Sequence, residues 1–189
     1  CRGLRHAVGM DLRSCAHCGK LLKPDACPVQ DAVDLGGGAT PAAGSYDAWL
    51  GRYSPAGRHM WSRRFGAPGE DRGFSVAADR EGSVVLTGYF SGSVDFGGDS
   101  LSSAGQSDIF VAKYDPNGVH LWSRRLGGHG NDAGNHVAVD PDGNVLVTGY
   151  FSSTADFAGT KLTSAGKNDI FLTKLSATGE LRCAKDFAQ

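Results

Sequence analysis

Apolar residues along this chain come in short runs cut by Gly, Pro, Asp and Asn. No window of eleven residues keeps the i, i+3, i+4 spacing of an amphipathic helix, so the pattern predicts strands. Four are legible in one stretch: C over 108–115, D over 119–126, A over 135–140 and B over 144–152. C and D are joined by Asp115-Pro116-Asn117-Gly118, and A and B by Asp140-Pro141-Asp142-Gly143. Pro presets φ in such turns and Gly accepts the left-handed position, so both read as hairpins. Strands B and C carry apolar residues on both faces: Val84, Leu86 and Phe90 alternate with Val85 and Tyr89, and Ile109 and Val111 with Phe110 and Ala112. A sheet with one wet face shows a polar residue at every second position. Both faces here are covered, so sheets stack on sheets.

The pattern repeats. Trp61-Ser62-Arg63-Arg64 returns as Trp122-Ser123-Arg124-Arg125, and Ser103-Ala104-Gly105 as Ser164-Ala165-Gly166, each at an interval of 61 residues. Laying residues 47–106 on 108–167 without a gap gives 30 identities in 60 positions, too many for chance. The register runs back to Val33-Asp34-Leu35-Gly36 and fades towards Gln189. Before about residue 32 it fails. The chain is therefore expected to hold about two and a half copies: a half blade over 33–66, one blade over 67–127 and one over 128–189. Four antiparallel strands per copy, stacked face to face, describe an all-β fold, a partial β-propeller. A β-solenoid competes, but its coils are shorter and lack two hairpin turns per period.

Thr87-Gly88-Tyr89-Phe90-Ser91, followed by Asp95-Phe96, Ser103-Ala104-Gly105, Asp108-Ile109-Phe110 and Trp122-Ser123, resembles the bacterial seven-bladed β-propeller repeats of secreted and cell-surface proteins. The resemblance covers about 33–189. It implies an extracytoplasmic propeller, secreted or on the cell surface, and says almost nothing about activity. Copy number departs from the family, because a closed ring takes 4–8 blades. A fragment of a longer chain, a chain closing its ring by oligomerising, and a truncated product all fit. The chain opens on Cys1 rather than Met, and the fragment is the expectation.

Charge narrows the partners. Nineteen Lys and Arg face 20 Asp and Glu, a net −1, which offers nothing to nucleic acid or to an anionic membrane. No run of 18 apolar residues occurs, so no spanning helix is expected.

Residues 1–32 read as an irregular Cys-containing segment or linker with Cys1, Cys15, Cys18 and Cys27. Two disulfides, in any of three connectivities, are the first expectation for an exported protein. Cys1 is also a candidate for lipid attachment, which would make the protein an outer-membrane lipoprotein and give it its one contact with a membrane. Cys15-Ala16-His17-Cys18 has the spacing of half a zinc site, with Cys1, His6 or Cys27 as further ligands. The same pair could exchange disulfides, although no βαβ pattern surrounds it. Cys183 stands in register with Trp61 and Trp122 and reads as a buried strand thiol.

Function in such a scaffold collects on loops. The long B–C loop, about 92–106, and the D–A loops at 69–71 and 130–132 share one rim. They offer Glu70, Asp71, Asp95, His129, Asn131, Asp132 and Asp156 as ligand-binding candidates. Recurrent carboxylates suggest Ca²⁺ as an alternative cofactor, but a carboxylate present in every copy more often fixes a turn. Asp140-Pro141-Asp142-Gly143 resembles the start of a calcium loop without its distal Glu and reads as a turn. His59 and His120 recur and read as framework, whereas His129 and His136 have no counterparts. Arg63 and Arg124 are expected to reach solvent. The expectation is a non-catalytic propeller segment, without a cofactor, that binds or displays. Its partners would be a protein or a glycan, and further blades in cis or by oligomerisation. The rival is an enzyme: a propeller hydrolase or lyase fragment, or thiol chemistry at Cys15 and Cys18.

Overall fold

A computed structural model describes residues 32–187 and, before them, only the backbone of three short strands. These are β1 (His6–Gly9), β2 (Arg13–Ser14) and β3 (Leu21–Leu22). The described residues contain strands and turns and no helix.

Three blades follow one another. The last is a four-stranded antiparallel sheet of β14 (Ala133–Val139), β15 (Val145–Phe151), β18 (Asp169–Leu175) and β19 (Leu181–Phe187), in that order. The middle blade repeats it with β8 (Arg72–Ala78), β9 (Val84–Phe90), β12 (Asp108–Tyr114) and β13 (His120–Gly128). The first has β6 (Ala48–Tyr53) and β7 (His59–Phe65) as strands C and D. The A–B and C–D turns form as their sequences dictate. Gly143 and Gly118 take φ of 80° and 79°, and the Asp140 and Asp115 carboxylates accept the turn N–H groups. Lys174 adds a 2.9 Å ion pair to Asp140, so this acidic loop is a hairpin turn tied to strand C.

The half blade proves larger than expected. β1 pairs antiparallel with β6, His6 opposite Arg52 and Gly9 opposite Trp49. That is the place of strand B, with Gly9 in register with Gly88 and Gly149. Glycine is required there because a Cβ on Gly88 would meet the Arg72 carbonyl oxygen at 1.8 Å, and one on Gly149 that of Ala133 at 1.9 Å. The segment before residue 32 thus supplies a strand of the repeat, hidden because 23 residues separate Gly9 from Val33 where five separate Gly88 from Val94. Cys1, Cys15, Cys18 and Cys27, with the disulfide, zinc, lipid and redox readings placed on them, lie outside the described residues.

The B–C connection, read as a loop, is a strap hairpin in each copy. The pairs are β4 (Val33–Asp34) with β5 (Ala39–Thr40), β10 (Ser93–Val94) with β11 (Leu101–Ser102), and β16 (Thr154–Phe157) with β17 (Thr160–Thr163). β16 also pairs with β13, lacing the last blade to the outer strand of the middle one.

The cores lie between blades. Val84, Leu86, Phe90, Phe110, Ala112 and Tyr114 of the middle blade pack with Ala48, Leu50 and Phe65 of the first. Val85, Ile109, Val111 and Leu126 turn the other way, onto Val137, Val145, Val147 and Phe171 of the last. The two-faced strands are therefore covered on both sides. Trp61 and Trp122 tie the layers by donating to the carbonyls of Pro116 (3.0 Å) and Ala177 (2.9 Å) in the next C–D turn. Arg124 does not reach freely into solvent, since its Nε donates to the Gly179 carbonyl at 2.9 Å. Cys183 is exposed, contrary to the buried thiol expected from its register. The turn that covers Trp122 belongs to the following blade, and no described residue covers Cys183.

Candidate functional site

Two carboxylates build the rim. Asp71 accepts the Ala67 N–H at 2.9 Å with Oδ2 and the Ser91 N–H at 3.2 Å with Oδ1. Asp132 does the same with Gly128 (2.7 Å) and Ser152 (3.0 Å). Each thereby closes the D–A loop and fastens it to the end of strand B. The Ser91 hydroxyl accepts the Glu70 N–H at 2.9 Å, and that of Ser152 accepts the Asn131 N–H at 2.9 Å. Single bridges from Tyr46 to Glu70 and from Ser107 to Asn131 complete the floor.

Behind each anchor lies a second buried carboxylate that sequence reading missed. Asp108 accepts the Ala104 N–H at 2.8 Å and Arg125 at 2.7 Å through Oδ2, while its buried Oδ1 has no hydrogen-bond partner. A Cβ on Gly127 would meet Asp132 Oδ2 at 2.7 Å and Asp108 Oδ1 at 2.9 Å, so the two carboxylates converge there. Asp47 repeats the arrangement with Ala43 and Arg64. Burial pushes the Asp71 carboxyl up to about 6 against the pull of its two amide donors; Asp47 adds to the rise and Arg64 opposes it. Asp132 is raised for the same first reason, with Asp108 adding. The missed signal was the recurrence of Asp47, Asp108 and Asp169 at the repeat interval.

On this frame lies a groove of about 470 Å³ spanning the last two junctions, lined by Glu70, Tyr89, Ser91, Gln106, Ser107, Asn131, Tyr150 and Asn168. The Tyr89 hydroxyl donates to Glu70 Oε2 at 3.0 Å, and Arg72 stands 3.7 Å from the same oxygen with its guanidinium 3.8 Å above the Tyr46 ring. Asn131 donates to Gln106 Oε1 at 2.7 Å and accepts from Ser107 at 3.3 Å. Burial, then the Glu70 hydrogen bond, push Tyr89 up to about 12 against Arg72; nearby Tyr150 adds to the rise.

Of the residues singled out from sequence, Glu70 and Asn131 line the groove, and Asp71 and Asp132 hold its frame from beneath. Asp95 and Asp156 accept the N–H groups of Gly97 and Gly159, both at 2.6 Å, in the strap turns and outside the groove. His129 is exposed on its loop and His136 on β14, also outside it. His59 and His120 sit under the strap glycines. Among the described residues, no group of three or more His, Cys, Asp or Glu could share a metal ion. Tyr89, read as a strand residue of a covered face, is only partly buried, as is its counterpart Tyr150, and both form groove walls.

A beta-propeller repeat family model matches residues 121–157, and a beta-propeller domain of unknown function matches 91–119. An uncharacterized WD repeat-containing protein of Acanthamoeba polyphaga mimivirus is 28% identical over 159 residues, 75% of this chain and 11% of that protein. Regulatory protein FlaEY of Caulobacter vibrioides is 30% identical over 156 residues, 80% of this chain and 16% of its own length. The chain thus spans less than a fifth of either relative. Two propeller models on adjoining stretches, and sheets stacked face to face at the repeat interval, agree: the chain is a β-propeller repeat protein.

Proposed function

We propose that the chain is a non-catalytic binding segment of a secreted or cell-surface propeller protein, with its ligand held in the rim groove. One observation carries the binding reading. The frame is identical between copies, Asp71 and Ser91 matching Asp132 and Ser152, while positions above it differ: Glu70 against Asn131, Gln106 against Lys167, Ser107 against Asn168. A rigid scaffold presenting varied polar side chains is the division of labour expected of a binding rim. The raised carboxyl of Asp71, a group that in a cleft suggests catalysis, has a structural account here. It is 1% exposed and both its oxygens hold backbone N–H groups. Location outside the cytoplasm rests on the resemblance of the repeat to those of surface proteins.

NMR titration with soluble glycans, peptides and nucleotides tests this reading, with the ligand recovered afterwards for mass spectrometry. Shifts confined to Tyr89, Gln106, Asn131 and Tyr150, with the ligand unchanged, are expected. Conversion of the ligand, or shifts only outside the groove, would overturn it.

A further inference from the structure

The geometry points to a neutral linear glycan as the ligand class, running across the blades with the rings of Tyr89 and Tyr150 stacked on sugar rings. This rests on the reading of the groove as a binding site and names what it binds.

Sugar hydroxyls donate and accept at once, and so do the amides and hydroxyls of Gln106, Ser107, Asn131 and Asn168. A pyranose also has an apolar C–H face, which needs a flat amphipathic partner such as Tyr. Tyr89 and Tyr150 supply one per blade at the 61-residue interval, so a ligand that itself repeats meets the same wall again. Charge excludes the anionic alternatives. No Lys, Arg or His lines the groove, and its one carboxylate, Glu70, already has Arg72 at 3.7 Å and the Tyr89 hydroxyl at 3.0 Å. Phosphate, sulfate or uronate would find no cation on the groove wall; Lys167, next to Asn168, stands outside that lining. An extended peptide is the other polymer that repeats, but it is held mainly through main-chain hydrogen bonds. Here the floor amides are occupied: Gln106 and Ser107 donate to the Gly130 carbonyl at 3.3 and 3.4 Å, and Asp132 to that of Ser107 at 3.0 Å. Side chains alone remain for recognition.

Calorimetry on the whole chain with glucose, xylose and N-acetylglucosamine oligomers, from dimer to hexamer, tests the inference. At least one series should bind, with affinity rising with length as both tyrosines engage. Tyr150→Ala should weaken the hexamer by about tenfold, the upper range of an aromatic contact, and Tyr150→Phe, which keeps the ring, should stay near the native value. Circular dichroism and the NMR dispersion of strand amides show that each variant is folded. Groove shifts with an eight-residue Gly/Ser/Thr peptide but not with any oligomer would overturn the glycan and leave the binding site standing. A sulfated or uronic hexamer binding more tightly than the neutral one would also overturn it, as would native affinity in Tyr150→Ala. No groove shift with any probe would overturn both this inference and the reading beneath it.

Discussion

At the residue scale, Asp71 and Asp132 show how a repeated acidic residue becomes architecture. Each satisfies two loop N–H groups from a site closed to water, and burial raises both carboxyls. For Asp71 the raised value is about 6, against about 3.9 for a free Asp. The folded chain therefore keeps a proton that the unfolded chain has lost, and unfolding between about pH 4 and 6 releases it. The resulting stabilisation is complete below pH 4 and disappears as pH rises through about 6. Urea unfolding should accordingly show stability falling over that window in the native protein. Asp71→Asn, weaker throughout because its amide meets one backbone donor, should lose the Asp71 share of that slope and show a shallower fall, since Asp132 is still raised. Parallel pH curves for the two proteins would refute the account. The anchors were visible in the sequence as recurrent carboxylates, and so were Glu70 and Asn131. Asp47 and Asp108 recur at the same interval but were passed over, because what marks them as buried anchors is an arginine from across the hairpin, Arg64 or Arg125, beside an N–H group four residues earlier. Tyr89 was misjudged because alternation along strand B shows which face it occupies but not where the neighbouring blade stops.

At the element scale, the straps are the least legible part of the fold and yet join neighbouring blades. Thr154–Phe157 and Thr160–Thr163 each alternate exposed with more buried positions, but four residues are too few to separate a strand from a loop by period. Packing settles it, since Ala155 and Phe157 enter the core between the last two blades. Ala158 and Gly159 make the strap turn, at φ 53° and 103°. A two-residue hairpin loop with both φ positive is the type I′ geometry, which favours Asn-Gly. Gly97 holds the place of Ala158 in the preceding copy, at φ 106°. A left-handed Ala is strained by about 1 kcal/mol. Ala158→Asn should therefore stabilise the chain by roughly 0.5–1 kcal/mol and raise its melting temperature by about 2 °C. A melting temperature equal to or below the native one would show that the strap does not feel this turn.

At the scale of the whole molecule, the two-faced strands leave a surface that no described residue covers. Ile170 and Leu172, in register with Ile109 and Val111, are 47% and 40% exposed where those two are fully buried under β14. Phe187, opposite Ile170, is 51% exposed beside them. Covering what remains exposed of each such side chain is worth about 1 kcal/mol. The isolated chain should therefore associate through this face with rising concentration, and the double variant Ile170→Lys, Leu172→Lys should stay monomeric while melting as the native chain does. Sedimentation equilibrium reads the association, and a thermal melt followed by circular dichroism reads the stability. A native chain that is monomeric at every concentration would show that this face tolerates water.

Periodicity, two-sided hydrophobicity and the Asp-Pro-Asp-Gly type of turn are local properties, written in contiguous residues. From them the sequence alone determined the repeat interval, the strand order within a full copy, and the stacking of sheet on sheet. Which carboxylates are buried, where the straps lace, how an early strand enters the first blade and which side chains share the groove depend on residues brought together from different copies. Those contacts form only when the blades dock, since one blade ends where the next covers it, and no local pattern records that boundary.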